Sequence, residues 1–177
     1  MTDTKPKYYD IRADFWREIF DHAQDYEAYL RDSEPDKAQR WRDMEAQLPA
    51  LTDEQANRVG AIQRQLNVLL YSGVWCGDCV RQGPMIRRIA EACASATVRV
   101  IDRDVSEELK DELRILGAMR VPVVVFLTEE FMEIGRFGDR LLTVYRAKAE
   151  RELGAACDTG LVAPPQVRIS PSHNHCR

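Results

Sequence analysis

Two cysteines three residues apart open the chemical reading: Trp75-Cys76-Gly77-Asp78-Cys79 lies between an apolar run and a helical pattern. A thiol at a helix's start meets unpaired backbone N–H groups and the positive end of the macrodipole, which both favour its thiolate. A second thiol one turn later can approach it within disulfide distance. Such a dithiol attacks a substrate disulfide, forms a mixed disulfide, and releases product when the second sulfur attacks the first. Asp78 sits between the two, where its charge suits the helix dipole but opposes a neighbouring thiolate.

Two other chemistries use the same residue types. A C-x-x-C pair is half of a zinc site when a second pair of ligands lies at suitable spacing. The candidates are Cys93, Cys157, His173, His175 and Cys176, most of them far along the chain. The cluster His173, His175 and Cys176 has ligand types but nothing that fixes a geometry, so no metal is expected. The pair could also be two inert core thiols, but a strand-to-helix junction beside Gly77 and Asp78 speaks against that. Cys93, fourteen residues beyond Cys79, would lie roughly 21 Å away along one helix, too far for a third redox partner. It reads as a small buried hydrophobe.

The elements that must position the pair follow from apolar spacing. Phe15, Ile19, Ala23, Tyr26 and Leu30 share one helical face, and Trp41, Met44 and Leu48 repeat the pattern after Ser33 and Pro35. Thr52-Asp53-Glu54-Gln55 is a capping box for a third helix, with Val59, Ile62 and Leu66 as its buried stripe. Val68–Tyr71 reads as a strand buried on both faces. A helix is expected from about Cys79 to Cys93, then a strand over Thr97–Ile101. Ser106 caps a further helix that Gly117 ends. Val121–Leu127 and Phe131–Phe137 form a hairpin, and Leu141 to Leu153 a last amphipathic helix. Beyond Cys157 the text is loop-like, with an edge strand conceivable over Gln166–Ile169. Trp16 and Trp41, at helical spacing, read as core rather than as a partner surface. Asp102-Arg103-Asp104 reads as a solvated strand end, from which a carboxylate could approach the site.

With these residues in place the chain resembles the thioredoxin family. Trp75 precedes the first cysteine, and Pro84 follows the second by five residues within the helix, as in that family. Gly117-Ala-Met-Arg-Val121-Pro122-Val-Val-Val-Phe126 resembles the segment in which an apolar residue and a cis-proline open a strand. Gly138 resembles the glycine that ends the next strand. The resemblance spans about residues 52 to 154. It implies an α/β, thioredoxin-like fold: a mixed sheet flanked by helices over residues 51–156, after a helical extension over 1–50 and before a loop-like tail over 157–177. It implies Cys76 as nucleophile and Cys79 as resolver, supported by Trp75, Gly77, Asp78 and Pro84. It further implies that Val121 and Pro122 face the cysteines and, with Gly138, bind substrate. Two positions differ from the usual family pattern. Asp78 stands where proline is usual, and Leu70 where a buried carboxylate accepts the resolving thiol's proton. Cys79 would then depend on water or another carboxylate, with Asp78 itself the nearest candidate in sequence.

The resemblance implies a thiol–disulfide oxidoreductase that reduces protein or small-molecule disulfides without a bound cofactor. Electrons would come from a thioredoxin reductase or a low-molecular-weight thiol. A redox-sensing interaction module without general turnover is the alternative. Composition agrees with either: 177 residues, 45% hydrophobic and 31% charged, suffice for one buried core. A net charge of −4, with Arg87-Arg88 only a pair, gives no basic face for nucleic acid. The N-terminus lacks the apolar stretch of a signal peptide, and Val121–Leu127 is too short to cross a bilayer. No membrane association and a cytoplasmic location are expected. Five cysteines, an odd number unevenly spread, do not make a disulfide scaffold.

Overall fold

In the computed structural model residues 10–153 are described. The chain divides into two units, residues 1–139 and residues 140–177. Within the first unit the order is α1 (Ala13–His22), α2 (Tyr26–Arg31), α3 (Pro35–Gln47), α4 (Asp53–Gly60), β1 (Leu66–Ser72), α5 (Gly77–Glu91) and β2 (Ala96–Asp102). A 3-10 turn (Arg103–Val105), α6 (Glu107–Glu112), β3 (Val123–Thr128) and β4 (Glu133–Gly138) complete it. The second unit contributes α7 (Leu142–Leu153), where Lys148 and Glu152 pair one turn apart.

The sheet runs β2-β1-β3-β4, with β1 parallel to β2 and β3 antiparallel to both β1 and β4. β1 is an inner strand of the sheet, between β2 and β3. Val68, Leu69, Leu70 and Tyr71 are all at most 3% exposed, as expected for a strand covered on both faces. β1 and β2 are joined by α5, since parallel strands need a crossover. β3 and β4 meet through a short hairpin in which Thr128 accepts from the Phe131 amide.

The N-terminal helices belong to this same core. Trp16 and Trp41 are fully buried, and both lie in the hydrophobic cluster with β1, β2 and β3. The expected first helix is split into α1 and α2, because the backbone of Gln24 leaves the helix to bridge Val100 of β2 (2.9 and 2.7 Å). Asp25 then starts α2 by accepting from the Ala28 amide. Arg99 stacks on Phe20 and donates to the carbonyls of Phe20, Asp21 and Ala23, neutralising the end of α1. The outer edge of β2 is thereby covered at Val100.

Other expectations needed correction. The Thr52–Gln55 capping box is formed, but α4 buries no residue fully, Ile62 lies past its end at 42% exposure, and Leu66 opens β1. The active-site helix starts two residues earlier than Cys79, at Gly77. Ser106 caps α6 as expected, but α6 ends at Glu112, and Gly117 (φ +78°) serves instead in a tight turn closed by Ile115 and Ala118. Leu116 beside it also takes a positive φ, so the turn's twist and not a helix end demands the glycine. Residues 157–177, with Cys157, His173, His175, Cys176 and the conceivable strand at Gln166–Ile169, lie outside the described residues.

Candidate active site

β1 delivers the chain to the sheet's C-terminal end at Ser72, and Gly73-Val74-Trp75 turns it into α5. The turn is closed by the Cys76 amide donating to the Gly73 carbonyl (2.9 Å). A side chain at Gly73 would stand 2.8 Å from the Trp75 ring, so glycine lets Trp75 fold back over the turn. Cys76 takes the N-cap position of α5 in extended backbone geometry. Its side chain therefore lies over the free N–H groups of the first helical turn. Cys79, one turn on, is fully buried while Cys76 is half-buried, so one sulfur is offered to solvent and the other kept behind it.

The two thiols are held in different states. Cys76 is lowered to about 6, first because the Cys79 thiol hydrogen-bonds to it and then through the backbone amides of Cys79 and Asp78. Burial and the charge of Asp78 work against this. Cys79 is pushed up by that same hydrogen bond and by its burial. At neutral pH the arrangement is one thiolate and one thiol, sharing a proton between them.

The structure brings most of the expected residues together around Cys76. Val121 and Pro122 come from the loop before β3, and the Val121 carbonyl lies 3.7 Å from Cys76 Sγ, which donates to it only in its protonated, thiol form. The Val121–Pro122 peptide is cis. Gly138, in register with Val123, backs Pro122: a Cβ at 138 would fall 2.7 Å from the Pro122 carbonyl oxygen. Trp75 is 41% exposed beside the pair, with the Arg103 guanidinium stacked 4.8 Å over its ring. Pro84 lies within α5 and is buried. Gly77 has open space where a Cβ would be. Cys93 is buried elsewhere, against Ser95 and the Ile62 carbonyl, apart from this chemistry.

Three features were missed in the sequence. Asp78 pairs with Arg81 at 3.0 Å, so its charge is partly compensated. Its backbone N–H also favours the Cys76 thiolate, an effect that proline at the same position would remove. The spacing Asp78–Arg81 was the available signal. Behind α5 the helix rests on Trp41, whose indole N–H donates to the Val74 carbonyl (3.1 Å). And Tyr29 of α2 reaches the site's rear with Ser72 of β1 and Asp102 of β2.

The Asp78 charge can be isolated by Asp78→Asn, which keeps the backbone donor and frees Arg81. That variant is expected to lower the Cys76 pKa and stabilise the reduced form. Its disulfide is then easier to reduce, and the potential rises by a few tens of millivolts, given about 30 mV per ~1.4 kcal/mol for two electrons. Equilibration with glutathione redox buffers measures this; an unchanged or lower potential rules out the electrostatic role of Asp78.

Comparison with known proteins bears on the family and the fold. The thioredoxin family model matches residues 23–150, most of the chain, and the chain belongs to that family. The match begins upstream of residue 52 and takes in α2 and α3. No curated protein matches by sequence. Among solved structures, the chain is similar to a Pseudomonas aeruginosa protein of unknown function, at 22% identity and TM-score 0.66 over 76% of this chain and 84% of that one. It is similar also to an HIV epitope scaffold, at 23% identity and TM-score 0.65 over 75% and 85%. The family match, with the mixed four-stranded sheet flanked by helices, makes the fold thioredoxin-like α/β, and these structural likenesses are of fold alone. Family membership supports a function of redox type. Among the described residues no helix is long and apolar enough to cross a membrane.

Proposed function

We propose that the protein is a thiol–disulfide oxidoreductase that reduces disulfides through Cys76 and Cys79. The observation that carries this reading is the pairing of a half-exposed Cys76, lowered to about 6 at the start of α5, with a wholly buried Cys79 thiol one turn behind it. The Cys76 thiolate attacks one sulfur of the substrate disulfide. That bond breaks, a mixed disulfide forms, and the first substrate thiol leaves. Cys79, deprotonated, then attacks Cys76 Sγ; the Cys76–Cys79 bond forms, and the second substrate thiol departs. The cysteines are oxidised and the substrate reduced, with no bound cofactor. Val121 and Pro122, edged by Gly138, offer backbone groups to an extended substrate chain, and Trp75 flanks it. The substrates are disulfide-bearing proteins or small molecules in the cytoplasm, and a thioredoxin reductase or low-molecular-weight thiol restores the dithiol.

Insulin reduction with dithiothreitol as electron source tests the reading. The protein is expected to accelerate insulin precipitation, and Cys76→Ser to abolish the acceleration. Cys79→Ser is expected to accumulate a substrate adduct at Cys76, visible by mass spectrometry, because attack survives and resolution does not. Full turnover by Cys76→Ser would show that another group is the nucleophile.

A further inference from the structure

The resolving step raises a question of proton transfer. Cys79 is wholly buried, and its pKa is pushed up, yet it must become a thiolate to attack. Leu70 offers it no carboxylate. Asp78, the nearest acid in sequence, is engaged with Arg81 on the outer side of α5.

Alternation along β1 places Ser72 on the same face as Leu70, two residues nearer the strand's end. Ser72 is 0% exposed, and its hydroxyl has no partner at ordinary hydrogen-bond geometry. A buried hydroxyl left in that state costs stability and leaves its proton and lone pairs open to a neighbour that moves toward it. It lies close enough to both the Cys79 thiol and the Tyr29 hydroxyl to stabilise the charged form of each. The Tyr29 hydroxyl, buried at the sheet's end, donates in turn to Asp102 Oδ2 at 3.4 Å. Asp102 is also the register partner of Ser72 across the parallel β1–β2 pair, so the strand pairing itself brings the hydroxyl and the carboxylate to one end of the sheet. Asp102 Oδ1 is fixed by the Asp104 amide at 2.9 Å. The carboxylate is half-buried, so its far side can exchange protons with solvent.

We propose that Ser72, Tyr29 and Asp102 form a proton relay that deprotonates Cys79, with Asp102 as terminal acceptor in place of the carboxylate missing at Leu70. This rests on the dithiol reading above. The Cys79 proton moves to Ser72 Oγ as the Ser72 proton moves to Tyr29 Oη and the Tyr29 proton to Asp102. The Cys79 sulfur forms its bond to Cys76 as the Cys76–substrate bond breaks, and the departing thiolate takes a proton from water. Ser72 touches the reacting thiol; Tyr29 and Asp102 are positioning residues that act through it. The relay also gives the N-terminal helices a part in the chemistry, because Tyr29 comes from α2. The titratable and charged groups facing the path are Cys76 from the start of α5, against Cys79, and Asp104, whose amide holds Asp102; Tyr71, with Arg103 and Glu107 around it, lies on the opposite face of β1. None of these stands between Cys79 and Asp102 in the chain of contacts.

The full-length reduced protein and Ellman's reagent separate the two steps. Cys76 attack on this aromatic disulfide releases one thionitrobenzoate, and Cys79 attack on the resulting mixed disulfide releases a second. Asp102→Asn and Tyr29→Phe are expected to leave the first release within about twofold and to slow the second about 100-fold at pH 7, the low end for a positioned base. The slowed second release should then climb tenfold per pH unit, because hydroxide has replaced the relay, and Asp102→Glu should restore part of the rate. An intact first release with an unchanged second in both variants would overturn the relay alone. Equal slowing of both releases would also overturn it, as a general disturbance of the site. A wild-type protein without the first release would overturn the dithiol reading, and the relay with it.

Discussion

Iodoacetamide is expected to label the native, reduced protein at Cys76 along a titration with its midpoint near pH 6, and to leave Cys79 unlabelled. The sign follows from the lowered pKa: Cys76 is a thiolate above about 6 and a thiol below. An ordinary cysteine titrates near 8.5, so at pH 6 Cys76 carries about 150-fold more thiolate. A less basic thiolate is also a weaker nucleophile, which takes back a factor of about 10 to 20. The net expectation is labelling about tenfold faster than a model thiol at pH 6 and about tenfold slower at pH 9. The crossing of the two curves is the informative feature, since mere accessibility would change the rate by one factor at every pH. Cys79→Ala should raise the midpoint, because the Cys79 hydrogen bond is the largest stabilising influence on the thiolate. Labelling with a midpoint near 8.5 would contradict an activated Cys76.

How much of this was legible depended on whether a feature is local. The Cys76–Cys79 pair, the helix start that activates it and the buried β1 are written in contiguous residues, and spacing alone exposes them. The capping boxes and caps at Thr52 and Ser106 are local too, and both are formed. Helix length was less legible. Phe15 to Leu30 keep one apolar stripe, but the chain breaks at Gln24 because its backbone bonds to Val100, seventy-six residues away. The rear of the site was the least legible. Ser72, Tyr29 and Asp102 come from three segments, and only the β1–β2 register and the placement of α2 bring them together. Asp102 read as a solvated strand end because nothing near it in sequence announces Tyr29.

α5 is held in place by α3, which is thereby part of the site's foundation. Trp41→Ala should cost about 3–5 kcal/mol, the usual range for removing a large buried aromatic side chain. Trp41 is fully buried, makes edge contacts with Tyr26 and Tyr29 at 5.9 and 5.8 Å, and satisfies the Val74 carbonyl. A loss of that size is a large share of the ~5–15 kcal/mol that a folded domain has in total. Urea unfolding followed by far-ultraviolet circular dichroism measures it, and one transition shifted as a whole is expected, since the indole lies in the same core as β1. If residues 1–50 were an independent appendage, the main transition would stay where it is. Gly83 supplies the reciprocal test. A Cβ there would stand 2.0 Å from the Trp41 ring, so Gly83→Ala drives α5 and α3 apart and should cost at least about 1–3 kcal/mol. In Trp41→Ala the ring is gone, and the methyl of Gly83→Ala enters the space it leaves. The double variant should therefore be clearly more stable than the sum of the single losses predicts, with a coupling of about 1–3 kcal/mol for residues in direct contact. Additive losses would mean that the helices do not meet at Gly83 and Trp41.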